Sequence, residues 1–521
     1  MKLNIQNTFI NELPADVNLE NSIRPVDSAC FSFVDPTKTK APKILHVVAD
    51  VANEIGLTEK DIISNAFLNV FTGNKIYSDT KPFAMAYAGH QFGNWAGQLG
   101  DGRAIALFEV EHEAKSWMLQ LKGAGKTPYS RRGDGLAVLR SSIREHLCSE
   151  AMFHLGVPTT RSLSLALTGD AVLRDVLYNG NAEYEKGAIV CRIAPSFIRF
   201  GNFELFAAKN DVKNLQILAD YTIKQHFPEI KLEGKEKYIA FFKTITTSTK
   251  EMLLHWQRVG FVHGVMNTDN MSIHGITIDY GPYGWLEDYN PKWTPNTTDA
   301  ENKRYRFGNQ PNIALWNLLQ LANALYPLIE DVKPLETILE DYSNSFQEDF
   351  YKMMSQKLGF ETLKKNDASL IDQLLAVLQE TETDMTIFYR NLSSVSKEDS
   401  AEKALDKIKD AFYTLTEVKE HVQETWLYWF TQYLNRLHEE TVLDAARKTN
   451  MNLVNPKYVL RNYMAQLAID AADKDDYTLI DELYTLLRNP YNEQPEMEKW
   501  FAKRPDWARV KIGCSMLSCS S

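Results

Sequence analysis

The chain has 521 residues, enough for about three domains of ordinary size. Its 44% hydrophobic and 11% aromatic residues supply a large core and exclude an intrinsically disordered protein. The formal charge of −11 argues against nucleic acid or an anionic membrane as the main partner. Because neither a secretory start nor an apolar run of membrane-spanning length is visible, we expect a cytoplasmic protein.

The first 200 residues are predicted to combine loops, strands and one long helix. Residues 1 to about 80 are interpreted as an extension of short helices and loops. Glycine is then dense between residues 87 and 102, and two strand-like segments follow at 103–110 and 117–122. The next segment, 137–155, has apolar residues at four-residue spacing and predicts a helix.

From about residue 205 onward the pattern is mostly helical, broken by a loop at 260–300. Long helices are predicted at 312–326, between Pro311 and Pro327 as start and stop signals, at 403–415 and at 425–448. This order of elements is typical of an α+β, protein-kinase-like two-lobed fold. The predicted parts are an N-terminal extension at 1–80, an N-lobe at 81–200, a C-lobe at 201–345 and a helical C-terminal region at 346–521.

The most informative segment is residues 263–270, HGVMNTDN, followed by DYG at 279–281. Protein kinases place H-R-D-L-x-x-x-N and D-F-G at this spacing, and the Asp of the first motif orients the attacking hydroxyl. Here that position is Val265, which cannot accept a proton. Asn270 and Asp279 keep the oxygen ligands that suit Mg²⁺ or Mn²⁺, and Asp269 could supply a base from a different position.

Upstream residues are candidates for binding phosphates. Gly100, Gly102 and Arg103 form a glycine loop before a strand, which either approaches phosphate oxygens or makes only a tight turn. Lys122 ends the next strand and Glu145 lies on the following helix, so the two either form a phosphate-positioning ion pair or remain solvated separately.

Two further pairs leave alternatives open. Asp134 and Gly135 lie in the loop between that strand and helix, and either reach a nucleotide or stabilise the turn. Arg192 and Arg199 flank an apolar stretch, where a polyphosphate or the protein's own carboxylates would pair with them.

The five cysteines do not form a disulfide framework. We expect Cys30, Cys148 and Cys191 to be buried free thiols. Cys514 and Cys519 lie in a tail of small residues, which predicts mobile and accessible thiols that are either reactive or incidental.

Several long motifs resemble those of the selenoprotein O family, and the resemblance covers nearly the whole chain. The most specific segments are 87–93 (YAGHQFG), 97–103 (GQLGDGR), 121–125 (LKGAG), 129–135 (YSRRGDG) and 263–281. The end, Ser518-Cys519-Ser520-Ser521, is similar to the Ser-selenocysteine-Ser-Ser end of many eukaryotic members. Met516 stands where their C-x-x-U spacing has Cys, so a Cys514–Cys519 redox pair stays open.

The resemblance implies a kinase-like fold that binds ATP in a flipped orientation and transfers AMP to Ser, Thr or Tyr hydroxyls of proteins. UMP transfer with Mn²⁺ is also attributed to bacterial members. Carried over by motif, Asp269 would be the proton acceptor, and Asn270 and Asp279 would ligate the metal. Glu145 would pair with Lys122. The nucleotide would be held by Gly100, Gly102, Arg103, Lys122, Asp134, Gly135, Arg192, Arg199 and Asp279.

Two other functions remain compatible with the residues. One is a phosphotransferase in which Asp269 replaces the missing base. The other is a non-catalytic nucleotide-binding scaffold that acts through its C-terminal helices. The presence of Lys122, Asp269, Asn270 and Asp279 disfavours the scaffold.

Overall fold

A computed structural model of the protein describes residues 1–175, 180–414 and 420–518. The strands are β1 (Phe31–Phe33), β2 (Lys43–Val47), β3 (Phe83–Met85), β4 (Ala88–Gln91), β5 (Asn94–Gln98), β6 (Ala104–His112), β7 (Lys115–Lys122), β8 (Ala137–Val138), β9 (Arg161–Arg174), β10 (Glu183–Ala194), β11 (Phe261–Val262) and β12 (Gly284–Trp285). The helices are α1 (Thr8–Glu12), α2 (Ala49–Glu54), α3 (Glu59–Ile62), α4 (Asn65–Phe71), α5 (Leu139–His154), α6 (Phe200–Ala208), α7 (Val212–His226), α8 (Gly234–Val259), α9 (Gln310–Ile329), α10 (Val332–Leu358), α11 (Asp367–Glu380), α12 (Met385–Leu392), α13 (Ala401–Ile408), α14 (Glu420–His438), α15 (Asp444–Val454), α16 (Asn462–Ala472) and α17 (Thr478–Leu487).

An antiparallel sheet with the order β1-β3-β6-β7-β10-β9-β2 carries the N-terminal half, and β8 pairs with β10. The two strands predicted from the sequence are β6 and β7, which pair with each other. In β7, Leu119 and Leu121 pack into one core cluster while Met118 packs into another, so the strand is covered on both faces. The mixed α and β composition expected from the sequence is confirmed.

Residues 1–80 are more integrated than a simple extension. They form the expected short helices, α1 to α4, and also the two edge strands of the sheet, β1 and β2. The sequence did not reveal these strands because they are only three and five residues long. Edge strands this short carry little periodic signal.

Helix α5 packs against β9 and β10, and 13 of its 16 residues are buried. It confirms the helix predicted at 137–155, apart from the first two residues, which form β8 instead, and the last, Leu155, which follows the end of the helix. The buried face brings Glu145 under the end of β7, where Lys122 lies. The helix therefore connects the core of the sheet with the candidate site.

The C-terminal half is helical, and three predicted boundaries need correction. Pro327 lies inside α9, which continues to Ile329, because a proline in the last turn interrupts little of the hydrogen-bond ladder. The helix predicted at 425–448 is two helices, α14 and α15, since the chain turns where Glu361 accepts the backbone N–H of Thr441. The helix predicted at 403–415 is α13, followed by a short 3₁₀ turn.

The cysteines follow the prediction only in part. Cys30, Cys148 and Cys191 are buried free thiols, as expected. The expectation of an accessible Cys514 is wrong: this thiol is buried, and its backbone carbonyl accepts a hydrogen bond of 2.7 Å from Asn462. Backbone pairing between Asn296 and Leu517 fixes the same segment to the protein. Cys519 lies outside the described residues.

A search of the described helices finds none that combines the length and the apolar character needed to cross a membrane.

Candidate active site

A cleft of about 890 Å³ lies between the sheet and the loops that precede α9. It is lined by eleven of the residues predicted for the site, which are Gly100, Gly102, Arg103, Lys122, Asp134, Gly135, Arg192, Arg199, Asp269, Asn270 and Asp279. Glu145 lies behind Lys122, in a smaller neighbouring pocket. The structure therefore brings together residues that are up to 179 positions apart in the sequence.

The glycine loop is packed against the loop at 127–135. Gly100 has a φ of +108°, and a Cβ there would lie 2.4 Å from the ring of Tyr129. A Cβ on Gly102 would lie 2.8 Å from the backbone oxygen of the same tyrosine. Thr127 donates to the backbone oxygen of Asp101 at 2.7 Å. Glycine is thus required here by the close approach of two loops that both line the cleft.

Lys122 and Glu145 form the predicted ion pair, with Nζ and Oε2 2.6 Å apart. The other oxygen of Glu145 accepts from Arg192 at 2.9 Å. Gln120, two residues before Lys122 on β7, accepts two further hydrogen bonds from Arg192. Burial lowers the pKa of Lys122, and the charge of Glu145 opposes that shift. One carboxylate thus holds two cations at the wall of the cleft.

Both carboxylate oxygens of Asp279 are bound by arginines. Arg192 Nη1 lies 2.7 Å from Oδ1, and Arg199 Nη1 is paired with Oδ2. Burial alone would raise the pKa of Asp279, but the charges of Arg199, Arg192 and Lys122 hold it well below its usual range. Of the two partners considered for these arginines, the protein's own carboxylates are the ones that the structure shows.

The backbone at Asp279 is left-handed, with a φ of +58°. Aspartate tolerates this region better than most residues, at a modest cost in free energy. Such local strain is common where a side chain must be aimed into a site. His263 supports the segment from behind, with its Nε2 bound to the backbone oxygen of Ile278 at 2.8 Å.

Asp269 and Asn270 lie together in a short 3₁₀ turn, Thr268–Asn270. Gln91 donates to Oδ2 of Asp269 at 3.2 Å, while Oδ1 is buried and has no hydrogen-bond partner. Burial raises the pKa of Asp269 to about 6, and the charge of Arg199 opposes this shift only in part. Asn270 donates to the backbone oxygen of Val265 at 2.9 Å, which fixes its side chain. Asp269 therefore combines a raised basicity with a free oxygen.

A β-hairpin made of β4 and β5 covers this turn. His90 N donates to Thr268 Oγ1 at 2.7 Å, and a Cβ on Gly89 would lie 3.2 Å from Cβ of Asp269. The contribution of Gln91 to Asp269 was not foreseen, because 178 residues separate the two and no local pattern links them.

Asp101 was also missed. This buried carboxylate accepts from Gln120 at 3.1 Å and from Met85 N at 3.0 Å, and lies 3.7 Å from Arg199. Asp101 lies between Gly100 and Gly102 of the glycine loop, and this position in the sequence could have identified it as a candidate site residue.

Asp134 and Gly135 also line the cleft. Arg174 binds both oxygens of Asp134, at 2.7 and 2.8 Å, and Leu136 N donates to Oδ1 at 3.0 Å. Burial opposes ionisation, but these contacts lower the pKa of Asp134. Gly135 has a φ of +72° and leaves no room for a Cβ beside Gly125. The carboxylate is thus held in a fixed position that faces the cleft.

The oxygen donors present fit a small hard cation. Asp279 and Asn270 line one cleft, and the unpartnered Oδ1 of Asp269 is a buried acceptor in the same place. Among the described residues, no group of three or more His, Cys, Asp or Glu is arranged to enclose a metal by itself. This agrees with Mg²⁺-type sites, in which one or two protein ligands are completed by substrate phosphates and water.

Comparison with known proteins identifies the family. Residues 15–488 match the family described as protein adenylyltransferase SelO. The chain belongs to this family. Its relatives include a protein nucleotidyltransferase YdiU of Flavobacterium johnsoniae, 65% identical over 519 residues, with 100% of this chain and 99% of the relative covered. Proteins of the same description from Rhodopirellula baltica and Aromatoleum aromaticum are 53% and 52% identical, over 99–100% of this chain and 99% of theirs.

Membership in the SelO family confirms both the resemblance drawn from the motifs and the expected enzyme class, a nucleotidyltransferase. The roles of individual site residues remain predictions.

Proposed function

We propose that this SelO-family protein transfers AMP from ATP to hydroxyl groups of protein substrates and releases pyrophosphate. The observation that carries the proposal is the placement of Asp269. Its buried carboxylate has a free oxygen, in a cleft whose kinase-type base position is occupied by Val265. The same cleft holds Arg103, Lys122 and the two arginines bound to Asp279.

In this reaction, one residue of the cleft acts on the acceptor hydroxyl and others act on the leaving pyrophosphate. The acceptor hydroxyl oxygen attacks the α-phosphorus, and its proton passes to Oδ1 of Asp269. The bond between the α-phosphorus and the bridging oxygen breaks, and pyrophosphate leaves with the electron pair. Lys122, Arg103, Arg192 and Arg199 stabilise the charge that develops on it, which positioned cations do well in a buried site. Asn270 and Asp279 would hold Mg²⁺ or Mn²⁺, which neutralises phosphate charge.

Several finer features belong to the same proposal. The nucleotide lies reversed relative to a kinase, with the α-phosphate towards Asp269 and with Gly100, Gly102, Asp134 and Gly135 as further contacts. The fold is kinase-like and two-lobed, with an N-lobe at 81–200 and a C-lobe at 201–345. Acceptors are Ser, Thr or Tyr residues, UTP is an alternative donor, and the reaction takes place in the cytoplasm.

Labelled ATP tests the reaction directly. Protein incubated with cell extract and ATP labelled at the α-phosphate should transfer the label to protein, whereas label at the γ-phosphate should stay in solution. Transfer from the γ position alone would show a phosphotransferase, and no transfer from either would favour a scaffold. An Asp269→Asn variant should bind ATP but transfer at least about a hundredfold more slowly, the effect of removing a general base.

A further inference from the structure

We propose that Arg304 recognises an acidic side chain next to the acceptor hydroxyl of the protein substrate. This inference rests on the proposed transfer to protein hydroxyls and specifies which hydroxyls are chosen. It concerns a surface outside the cleft that would hold the nucleotide, since Arg304 is absent from the residues that line that cleft.

The guanidinium of Arg304 is held between the hairpin and a helix. A Cβ built on Gly93, in the turn between β4 and β5, would lie 3.2 Å from Cζ of Arg304. On the other side, Cζ lies 4.8 Å from the centre of the Trp316 ring on α9. Stacking on an aromatic face fixes a guanidinium plane and leaves its edge free to donate hydrogen bonds. Arg304 is therefore a pre-positioned donor.

Among the described residues, no carboxylate lies within ion-pair distance of the Arg304 guanidinium. Its charge reaches the buried Asp299 only at longer range, where it opposes the rise in the pKa of Asp299 that burial causes. The Nε of Arg304 is buried without a hydrogen-bond partner. The nearby carboxylate of Asp299 is already engaged, since it accepts the backbone N–H groups of Arg304 at 2.9 Å and Tyr305 at 2.7 Å.

Arg304 differs in its partners from the two arginines that line the cleft. Arg192 and Arg199 are both paired with carboxylates inside the protein. A half-buried guanidinium without such a partner is unfavourable, and an external carboxylate can bind it with two parallel hydrogen bonds. An acidic side chain of another protein is therefore the complementary ligand.

One hairpin contacts both Arg304 and Asp269, and from this link we take the ligand to be the protein substrate. The hairpin that contacts Arg304 through Gly93 also supplies Gln91, which donates to Asp269 at 3.2 Å. Phe92 N donates to Asn267, two residues before Asp269, at 3.1 Å. An acceptor hydroxyl must come within hydrogen-bond reach of Asp269. A chain bound there would pass the hairpin, and residues close to its hydroxyl would meet Arg304.

Neighbouring side chains suit a protein ligand with negative charge. Trp95 on β5 exposes 46% of its surface, and tryptophan and arginine are the residues that most often dominate protein interfaces. Lys303, which is exposed beside Arg304, adds positive charge to this surface. The two neighbouring cations favour an acidic segment by electrostatic complementarity.

Mapping of modified sites tests the inference. Cell extract is incubated with ATP and either wild-type protein, Arg304→Gln, Arg304→Glu or the control Arg306→Gln, and the AMP-carrying residues are located by mass spectrometry. Arg306 is a matched control because it donates to the backbone oxygen of Lys303 at 3.0 Å. We expect Asp and Glu to be enriched near the sites modified by wild type and by Arg306→Gln.

Arg304→Gln should modify these acidic sites about tenfold more slowly, the effect of one charge-assisted hydrogen-bond pair, and Arg304→Glu should shift selection towards Lys and Arg. ATP binding, measured with a fluorescent analogue, should be the same in all four proteins and shows that the variants fold. Wild-type sites without acidic enrichment, or the same enrichment with Arg304→Gln, would overturn the inference and leave the transfer itself intact. No AMP on any protein with wild type would instead refute the proposed function.

Discussion

Arg192 and Asp279 are joined by an ion pair of 2.7 Å, and Arg199 holds the second oxygen of the same carboxylate. Each guanidinium occupies a lone pair and brings a positive charge close to the carboxylate, so both arginines weaken the affinity of Asp279 for a metal ion. A triphosphate offers the guanidinium groups an alternative anion, so nucleotide binding and metal binding should support each other. This reciprocity is a linkage between two ligands at one site.

The first prediction follows from this competition. Mn²⁺ should bind the protein at least about tenfold more tightly in the presence of a non-hydrolysable ATP analogue, corresponding to a coupling of about 1.4 kcal/mol. Isothermal titration of Mn²⁺ with and without the analogue measures the effect. Arg192→Gln should tighten Mn²⁺ binding to the free protein, and Asp279→Ala should abolish it. Equal Mn²⁺ affinity in the two titrations would contradict the competition.

The second prediction concerns Glu145, which neutralises both Lys122 and Arg192. Glu145→Gln leaves two buried cations with one carboxylate fewer, and should lower the free energy of unfolding by about 3 kcal/mol. Urea denaturation measures this loss. Glu185→Gln is a matched control. Glu185 lies on β10, is more exposed than Glu145, and pairs with Arg140, which is on α5 as Glu145 is. A similar loss of unfolding free energy in both variants would contradict a larger stabilising role for Glu145 than for Glu185.

The Lys122–Glu145 pair also shows what the sequence could predict. The order of strand and helix made this ion pair one of two alternatives, and the family resemblance favoured it. A contiguous motif was sufficient to place Asp269, Asn270 and Asp279 together. Contacts between distant segments were not accessible, as for Gln91 with Asp269, since nothing local specifies them. Cys514 illustrates the opposite error. A tail of small residues suggests exposure, but backbone pairing at Leu517 holds this one against the protein.

The third prediction uses Gly89 to move Asp269 without changing its chemistry. In Gly89→Ala the new Cβ would lie 2.9 Å from Thr268 Oγ1 and 3.2 Å from Asp269 Cβ, so the turn must shift by a few tenths of an ångström. Displacement of a proton acceptor on this scale should slow AMP transfer by about tenfold or more. ATP affinity should be unchanged, because Gly89 does not line the cleft. Weaker ATP binding with normal transfer at saturation would argue against this role.

The fourth prediction concerns the reactivity of Cys514. Burial raises the pKa of this thiol to about 11, so only a small fraction is the nucleophilic thiolate at pH 8. Iodoacetamide should modify Cys514 slowly in the native protein and rapidly after denaturation. Peptide mass spectrometry of a time course compares the two. Rapid native alkylation of Cys514 would show that the tail leaves the protein in solution.

The last prediction concerns acid stability. His146 on α5 is buried, with Nε2 2.8 Å from Nδ1 of His46 and Nδ1 2.6 Å from Ser162 Oγ. Burial, followed by the charge of His46, holds the pKa of His146 well below its usual value of 6.5. The unfolded chain therefore gains a proton on His146 as the pH falls below about 6.5, and the folded protein does not.

The unfolded state thus binds more protons in this range, and the free energy of unfolding must decrease as the pH falls. The contribution of His146 to this slope approaches about 1.4 kcal/mol per pH unit. Urea denaturation at pH values from 8 to 5 should show a smaller slope for His146→Gln than for wild type, whatever the stability of the variant at pH 8. His438→Gln, which changes an exposed histidine on α14, should keep the wild-type slope. An unchanged slope in His146→Gln would show that this imidazole takes up its proton without unfolding.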